Sequence, residues 1–507
     1  MPRLPVRNLR FWPKLYFGSA TVMALVLWLA TGRSLQSLVI SLICLEGAAV
    51  VGWLAPGRPV AAFGILFLLA SLTRPTLQLP MGAMRLEQPA IAAALIAVMV
   101  SRRWPSRRAM RAALPVAGAF AIYLAVLTIS SLLDAPSRAD SLRLVIWTTV
   151  SMLGGLAAFC LLADHASEAA PWFRAAGGLE AAAGIALALL FLVLGPVITT
   201  EPDPAPGIQN AMSAIPRVYG YAWEANLYAS FLGAMAPFAI ESFRARPTVR
   251  SAAIVSLVLL GFALGFARGA YLGLGAGLIT YAAIVGWRSR SVRNLLAPAV
   301  LTFVLLGVGS TIWMNTMLPV GRPANDPLEN RVAAALAALS RPGAGPGPGT
   351  TPGPSPTPSA TYSAVVLPPP PDTLDFRLQR VPPAFGDLSS SLLIGLGADS
   401  FGQRHADPSQ QGRPDHLAIL AVAVLYESGA LGALALAVGF LAVLWMLLRG
   451  SPNRDMRGTA AAYAAAIVSL LVAYQATNAI HFATIWLLVG GALALAMGRP
   501  DGSAETS

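Results

Sequence analysis

The longest apolar stretch of the chain is residues 416–448, HLAILAVAVLYESGALGALALAVGFLAVLWMLL, which contains 33 residues and a single carboxylate, Glu427. A straight α-helix of that length would measure about 50 Å at ~1.5 Å per residue, whereas the hydrocarbon core of a bilayer is only ~30 Å thick. The Glu427-Ser428-Gly429 sequence is a natural point of interruption. We therefore expect a helix from His416 to Tyr426 at a membrane surface, followed by a membrane span.

The rest of the chain has the same apolar character. Of its 507 residues 56% are hydrophobic and 11% charged, and the mean hydropathy is +0.65, so the bilayer must be its solvent. The apolar stretches are approximately 16–31, 35–54, 59–72, 89–101, 112–133, 141–162, 174–198, 222–241, 251–267, 270–287, 294–317, 428–448, 459–477 and 480–498. This pattern predicts an all-α integral membrane protein, a bundle of about 12–14 transmembrane helices with one long extracytoplasmic loop. The stretches 59–72 and 89–101 are short, which suggests tilted, broken or re-entrant helices.

The net charge of +12 does not indicate nucleic-acid binding, because the arginines cluster in short connectors between apolar stretches. These connectors are 101–111, 241–250, 286–294 and 449–457, and they fall on one side if the spans alternate. Short cytoplasmic loops of membrane proteins retain Lys and Arg, so this side is predicted to be the cytoplasm. The segments 199–221, 267–270, 318–427 and 478–481 then lie outside. Cys44 and Cys160 both lie within apolar stretches, so no disulfide framework is expected.

The chain divides into four parts on this prediction. Residues 1–317 form an N-terminal transmembrane bundle, 318–415 an extracytoplasmic loop, 416–498 a surface helix with the C-terminal spans, and 499–507 a cytoplasmic tail. The middle of the loop, residues 341–371, is so rich in Pro and Gly that it cannot bury a core, and we expect an extended insert there.

Four features of the predicted outer face contain residues suited to chemistry. They are Arg217, Tyr219 and Asn226 in PRVYGYAWEANLYASF; Arg268 in FARGAYLGLGAG; Arg377 and Arg380 in DFRLQR, ahead of LLIGLGADSFG; and Asp415, His416 and Glu427 in DHLAILAVAVLYESGALG. Guanidinium groups bind phosphate oxygens bidentately without losing their charge, and a histidine can accept a proton near neutral pH.

The order of these features resembles the O-antigen ligase family, which also includes O-antigen polymerase-like and protein O-oligosaccharyltransferase members. The matching motifs are Arg217-Val218-Tyr219-Gly220 with Asn226, Ala267-Arg268-Gly269, Gly395-Leu396-Gly397 with Phe401, and His416-Leu417 with Glu427, Gly429 and Gly432. The resemblance covers about residues 210–435. Ala267 stands where the family usually has Ser, and Leu417 where it usually has Asn.

This resemblance implies transfer of a glycan from a polyprenyl (undecaprenyl) diphosphate carrier to an acceptor hydroxyl of a lipid or glycan, with inversion and without metal or cofactor. It implies that Arg217, Arg268 and Arg377 bind the donor diphosphate and that His416 is the catalytic base. Tyr219, Asn226 and Glu427 are possible supporting residues. The expected location is a bacterial inner membrane, with the site on the extracytoplasmic face.

Two other functions remain open on the sequence. A polymerase of O-antigen or exopolysaccharide units would use the same donor and differ only in its acceptor. A non-enzymatic transporter of the same lipid would need ionisable groups that line a path at mid-membrane. Most charges of this chain lie at span ends, with Glu46 as an exception, so the sequence favours transport less than glycan transfer. Single arginines at span ends are usually membrane anchors, and we expect His405 to be an ordinary loop residue and His481 to pack in a turn.

Overall fold

A computed structural model describes residues 12–30, 35–73, 76–79, 82–194, 218, 220, 222, 224–286, 377–405, 417–449 and 454–498. Its helices, in chain order, are α1 Trp12–Ala30, α2 Leu35–Leu54, α3 Pro59–Ser71, α4 Glu87–Ser101, α5 Arg107–Leu133, α6 Arg138–Leu162, α7 Ala170–Leu194, α8 Ala225–Ala245, α9 Val249–Leu264, α10 Arg268–Val285, α11 Val381–Leu388, α12 Ser400–Arg404, α13 Leu420–Arg449, α14 Arg454–Ala473 and α15 Ala483–Met497. A 3₁₀ turn at Ala166–Ala169 precedes α7. The strands β1 Thr76–Leu79 and β2 Gly82–Arg85 pair antiparallel.

The helices confirm the predicted all-α membrane bundle. Six of them are long and apolar enough to cross a membrane, and five more are apolar but shorter, within the part of the chain that the structure describes. Every predicted apolar stretch except 294–317, which lies outside the described residues, corresponds to one of the helices. The chain is therefore a multi-pass membrane protein.

The third and fourth apolar stretches are indeed short. Helix α3 has 13 residues and α4 has 15, so each reaches only about 20 Å at ~1.5 Å per residue. The hairpin of β1 and β2 joins them, and the apolar pattern of the sequence does not predict it. Both cysteines are buried and free, as their apolar surroundings indicated.

Small residues allow the closest helix contacts. On α10 a Cβ at Gly273 would lie 2.4 Å from the carbonyl oxygen of Ser469, and one at Gly277 would lie 2.7 Å from that of Ala465, both on α14. Because glycine has no side chain, the two backbones approach each other directly, which is how helices associate where no hydrophobic effect drives them together. This contact places the start of α10 beside the end of α14.

One end of the bundle, which we call the arginine end, collects the connectors 102–106, 163–169 and 244–248 and the start of α14. Arg103 and His165 line a common cavity there. Arg244 binds Glu241 at 2.7 Å, and a Cβ at Gly458 of α14 would collide with the same carboxylate. The Arg-rich connectors described by the structure thus share one end, as the alternation of spans predicted.

The opposite end, which we call the motif end, collects Val218, Arg268, residues 395–404, residues 417–420 and the turn 474–482. Two details differ from the sequence-based expectation. Arg268 is the first residue of α10 instead of part of the preceding turn. Helix α13 begins at Leu420 instead of His416, since residues 417–419 have no helical backbone.

Candidate functional site

The Arg-x-x-Gly motif is only partly described, because Arg217 and Tyr219 lie outside the described residues. Its remaining residues are fixed at the motif end. The backbone N–H of Val218 donates to the carbonyl of Leu264, the last residue of α9, at 3.0 Å. Gly220 lies against the ring of Tyr228 and the carboxylate of Glu180, so closely that an added Cβ would be 2.7 Å and 2.9 Å from them.

Glu180 was missed by the sequence analysis. It lies in the middle of α7 with 3% of its surface exposed, directly beneath the Arg-x-x-Gly segment. A carboxylate inside a membrane helix is costly and usually has a functional or structural reason. Its isolation in an apolar stretch was the signal that could have singled it out.

Asn226 lies in the first turn of α8, and its carbonyl accepts a hydrogen bond from the Ser230 hydroxyl at 2.6 Å. The residue before α8, Glu224, accepts a hydrogen bond from Thr477 at 2.5 Å. Thr477 belongs to the turn that follows α14. The segment carrying Asn226 is therefore tied to the centre of the motif end.

Arg268 occupies the first position of α10 with an exposed side chain, beside a fully buried Ala267. An added Cβ at the next residue, Gly269, would be 2.2 Å from Ala476 in the same turn. Helix N-termini carry a partial positive charge, which stabilises an anion bound there. The position combines a guanidinium with the N–H groups of a helix start, an arrangement suited to phosphate oxygens.

The predicted interruption of α13 is confirmed at Gly429, whose φ of 62° and ψ of −171° are not helical. The Gly-x-Gly segment docks into this break: Leu396 N–H donates to Tyr426 O at 2.8 Å, and Gly397 N–H donates to Glu427 O at 3.0 Å. Gly395 and Gly429 both have positive φ, and an added Cβ on either would meet the other's backbone at about 2.5 Å or less. Glycines are required on both sides of this contact.

Glu427 supports this docking. Its carboxylate oxygen Oε1 accepts a hydrogen bond from the backbone N–H of Asp399 at 3.2 Å, and the residue is 6% exposed. Serines of the neighbouring helices complete the contact: Ser130 donates to Glu427 O, and Ser131 accepts from Ala398 N–H. The Glu427 carboxylate thus holds the Gly-x-Gly segment in place.

His416 lies outside the described residues, but its neighbour Leu417 is buried at the motif end. Leu417 packs in a small cluster with Ala384, Leu396, Phe401, Ala423 and Tyr426. Three residues later, Leu420 N–H donates to Tyr474 O at 3.2 Å. The chain that follows His416 is therefore held between the Gly-x-Gly segment and the turn after α14.

Arg377 is partly buried and is the first described residue of the segment 377–405. Its carbonyl accepts a hydrogen bond from Arg380 N–H at 3.3 Å, in the turn that leads into α11. Helix α11 packs on the first half of α13. Arg377 thus belongs to the part of the loop that covers α13.

A polar cluster beside this loop was not anticipated. Oδ2 of Asp387 accepts two hydrogen bonds, from Tyr426 OH at 2.7 Å and from His405 Nε2 at 2.7 Å. Burial raises the pKa of the Asp387 carboxyl, but the hydrogen bonds from Tyr426 and His405, together with the nearby charges of His405 and Arg404, lower it by more, so the net shift is downward. Asp387 is therefore ionised at neutral pH, and His405 is part of a structured group instead of an ordinary loop residue.

The other two described histidines each have a hydrogen-bond partner within the protein. The Nδ1 atom of His481 lies 2.6 Å from the Thr148 hydroxyl, and the residue is 7% exposed, in agreement with its predicted packing role. His165 pairs with Glu168 at 2.8 Å at the arginine end. Among the described residues, no group of three or more His, Cys, Asp or Glu could hold a metal ion.

Comparison of the chain with models of known protein families finds no match, and comparison with curated proteins finds none either.

Proposed function

We propose that this membrane protein transfers a glycan from a polyprenyl diphosphate carrier to an acceptor hydroxyl at the motif end. The observation that carries the proposal is the convergence of four separated motifs at that end. Val218 binds the end of α9, the α10 start that bears Arg268 contacts Ala476, Leu420 binds Tyr474, and the Gly-x-Gly segment fills the α13 break. Residues far apart in sequence share one end of the bundle.

The chemistry of the transfer matches the residue types. As the glycosidic bond of the donor breaks, negative charge grows on the leaving diphosphate oxygen, and guanidinium groups stabilise that charge. Arg217, Arg268 and Arg377 are the proposed members of this set. His416 accepts the proton of the attacking hydroxyl, so that the new glycosidic bond forms as the carrier diphosphate leaves.

Two of the proposed steps can be separated by experiment. The purified chain in lipid nanodiscs is supplied with a polyprenyl-diphosphate-linked sugar and a panel of lipid and glycan acceptors, and both donor binding and glycan transfer are measured. His416→Ala removes a base but no positive charge needed for diphosphate binding, so transfer should fall by about 10²–10⁴-fold while donor binding persists.

Arg217→Ala should weaken donor binding itself. Transfer at the parental rate by His416→Ala would remove the base role. A parental protein that binds no polyprenyl diphosphate would remove the whole proposal. Transfer to a lipid acceptor would identify a ligase, and transfer to a glycan that is still linked to the carrier would identify a polymerase.

A further inference from the structure

Arg85, the last residue of β2, is a buried arginine whose guanidinium has no oxygen acceptor among the described residues. The residue is 8% exposed, and no carboxylate of the described residues lies within ion-pair distance of it. None of its nitrogens is fully enclosed, so the small exposed surface includes N–H donors. A guanidinium carries five N–H donors, and burying them without acceptors is costly. The position therefore suits a ligand that supplies oxygen atoms.

Aromatic rings hold this guanidinium in place. Its central carbon lies 4.0 Å from the centre of the Phe482 ring and 5.4 Å from that of the Trp147 ring. A second guanidinium, that of Arg143, lies 5.5 Å from the centre of the same indole. Cations are attracted to the faces of aromatic rings, but a ring face does not replace an oxygen acceptor. The two arginines thus share one tryptophan and keep N–H donors for a ligand.

Two carboxylates act on these arginines without occupying their donors. Asp140 lies 4.0 Å from Arg143, and the two side chains are 55% and 49% exposed, so this ion pair contributes little. Glu87 interacts with Arg85 electrostatically but forms no ion pair with it, and it also acts on Cys44 of α2. The charge of Arg85 is therefore reduced only from a distance, and its N–H groups stay open to an anion.

The two arginines lie below the motif end, at different depths. Phe482 belongs to the turn 474–482 of that end. Helix α6 begins there at Arg138, so Arg143 lies about 8 Å and Trp147 about 14 Å along it, at ~1.5 Å per residue. This depth is that of a membrane-spanning helix and not of an aqueous loop. A ligand that reaches both arginines therefore lies against the membrane-facing part of the bundle.

We propose that Arg85 and Arg143 form a binding site for the phosphate group of a lipid. Guanidinium groups bind phosphate oxygens bidentately, and basic pockets between membrane helices bind lipid headgroups. Ile146, one turn after Arg143 on α6, is 60% exposed and offers an apolar surface to the chain of such a lipid. The phosphate belongs either to the polyprenyl diphosphate of the proposed reaction or to a phospholipid of the surrounding leaflet.

Lipid binding to the full chain in uncharged dodecyl maltoside micelles, measured by native mass spectrometry, tests the site. The probes are geranylgeranyl diphosphate and dioleoylphosphatidylglycerol, each compared with its phosphate-free counterpart, geranylgeraniol or dioleoylglycerol. The parent should prefer a phosphate-bearing lipid, and Arg85→Met should weaken its binding by about 10-fold or more, the usual loss for hydrogen bonds to a charged group. Arg143→Met should cause a smaller loss, because its guanidinium is more exposed.

Arg449→Met is the matched control. Arg449 also lies on an indole, 4.1 Å from the centre of the Trp445 ring, but at the arginine end, so its removal should leave these affinities unchanged. Arg85→Lys keeps the charge and loses the fork, and it serves as the test variant if Arg85→Met does not fold. A purely structural Arg85 would give a lower melting temperature with parental affinity. That result, a parent without preference for phosphate, or an equal loss in Arg449→Met would overturn the proposal.

The same measurements identify the source of the phosphate. A loss in Arg85→Met that is confined to geranylgeranyl diphosphate assigns the site to the donor, and a loss confined to phosphatidylglycerol assigns it to a phospholipid. A loss for both lipids means that the site recognises the phosphate in either one. Glycan transfer by the parent tests the proposed function separately. A chain that transfers no glycan but needs Arg85 to bind phosphatidylglycerol would keep the site and refute that function.

Discussion

The two ends of the bundle use their carboxylates differently. At the arginine end Glu241 binds the guanidinium of Arg244 at 2.7 Å and also contacts the Tyr281 hydroxyl, so charge is neutralised within the protein. At the motif end Glu224 accepts from the Thr477 hydroxyl and Glu427 from a backbone N–H. Glu241 is thus paired with a guanidinium of its own helix, and the carboxylates of Glu224 and Glu427 hold the turn after α14 and the Gly-x-Gly segment.

The prediction with the largest expected effect is that the two ends of the bundle face opposite sides of the membrane. Cys44 and Cys160 are buried, so single cysteines introduced at exposed positions can be labelled with little background. A membrane-impermeant maleimide should label Ser390→Cys in spheroplasts but label Arg246→Cys only after permeabilisation, because positive connectors remain in the cytoplasm. Labelling of both in intact spheroplasts would place the proposed site and the arginine end on the same side.

The second prediction compares arginines in the first turn of a helix at each end. Arg268 begins α10 at the motif end, and Arg250 lies in the first turn of α9 at the arginine end. Lysine keeps the charge but loses the planar fork, so Arg268→Lys should lower glycan transfer by about 10²-fold, whereas Arg250→Lys should leave it nearly unchanged. Equal rates of glycan transfer in the two variants would mean that Arg268 only anchors α10 at the membrane surface.

The sequence was sufficient for the helices and for the break in α13, because both follow from local properties: apolar length in the first case, Gly429 in the second. The sequence also predicted that the Arg-rich connectors lie at one end of the bundle, because consecutive helices that alternate in direction place every second connector at the same end. It could not predict contacts made by common residue types across long separations. Ser130 lies 297 residues from Glu427, and no spacing rule connects them.

The Asp387 cluster shows the same limit on a shorter scale. Asp387 lies 18 residues from His405 and 39 from Tyr426, on three different elements. Each is unremarkable alone, since aspartates and histidines in polar loops are usually solvated. Residues 395–397 dock into the α13 break, and this segment joins α11 to α12, so both helices lie beside Tyr426. The proposed roles of Arg217 and His416 rest on the motifs, because both residues lie outside the described part of the chain.

The third prediction tests the docking itself. At Gly429 an alanine would need a φ of 62° and would place its Cβ 2.5 Å from the backbone nitrogens of Gly395 and Ile394. Gly429→Ala should destabilise the protein by about 3 kcal/mol or more, measured as a loss of thermal stability in detergent. Gly118→Ala is the matched control, because an added Cβ there has no atom within 4 Å and α5 should gain about 0.5–1 kcal/mol. Equal stability of the two variants would contradict the described contact.

The smallest expected effect concerns the pH dependence of the loop that covers α13. Burial raises the pKa of Asp387, but the hydrogen bonds from Tyr426 and His405 and the charges of His405 and Arg404 together lower it by more, so the folded state favours the ionised carboxylate more than the unfolded chain does. The stabilisation is therefore fully present above the unfolded pKa of about 3.9 and is lost as the pH falls through the lower folded value. Hydrogen exchange of amides in α11 and α12 should accelerate, after correction for intrinsic rates, as the pH is lowered from about 5 towards 3. Asp387→Asn cannot titrate, so its corrected exchange should change less over that interval, while amides of α14 serve as an internal reference. If the parent and Asp387→Asn show the same pH dependence, the carboxylate does not hold the loop, and the contrast between anchored and loop-holding carboxylates at the two ends loses one of its supports.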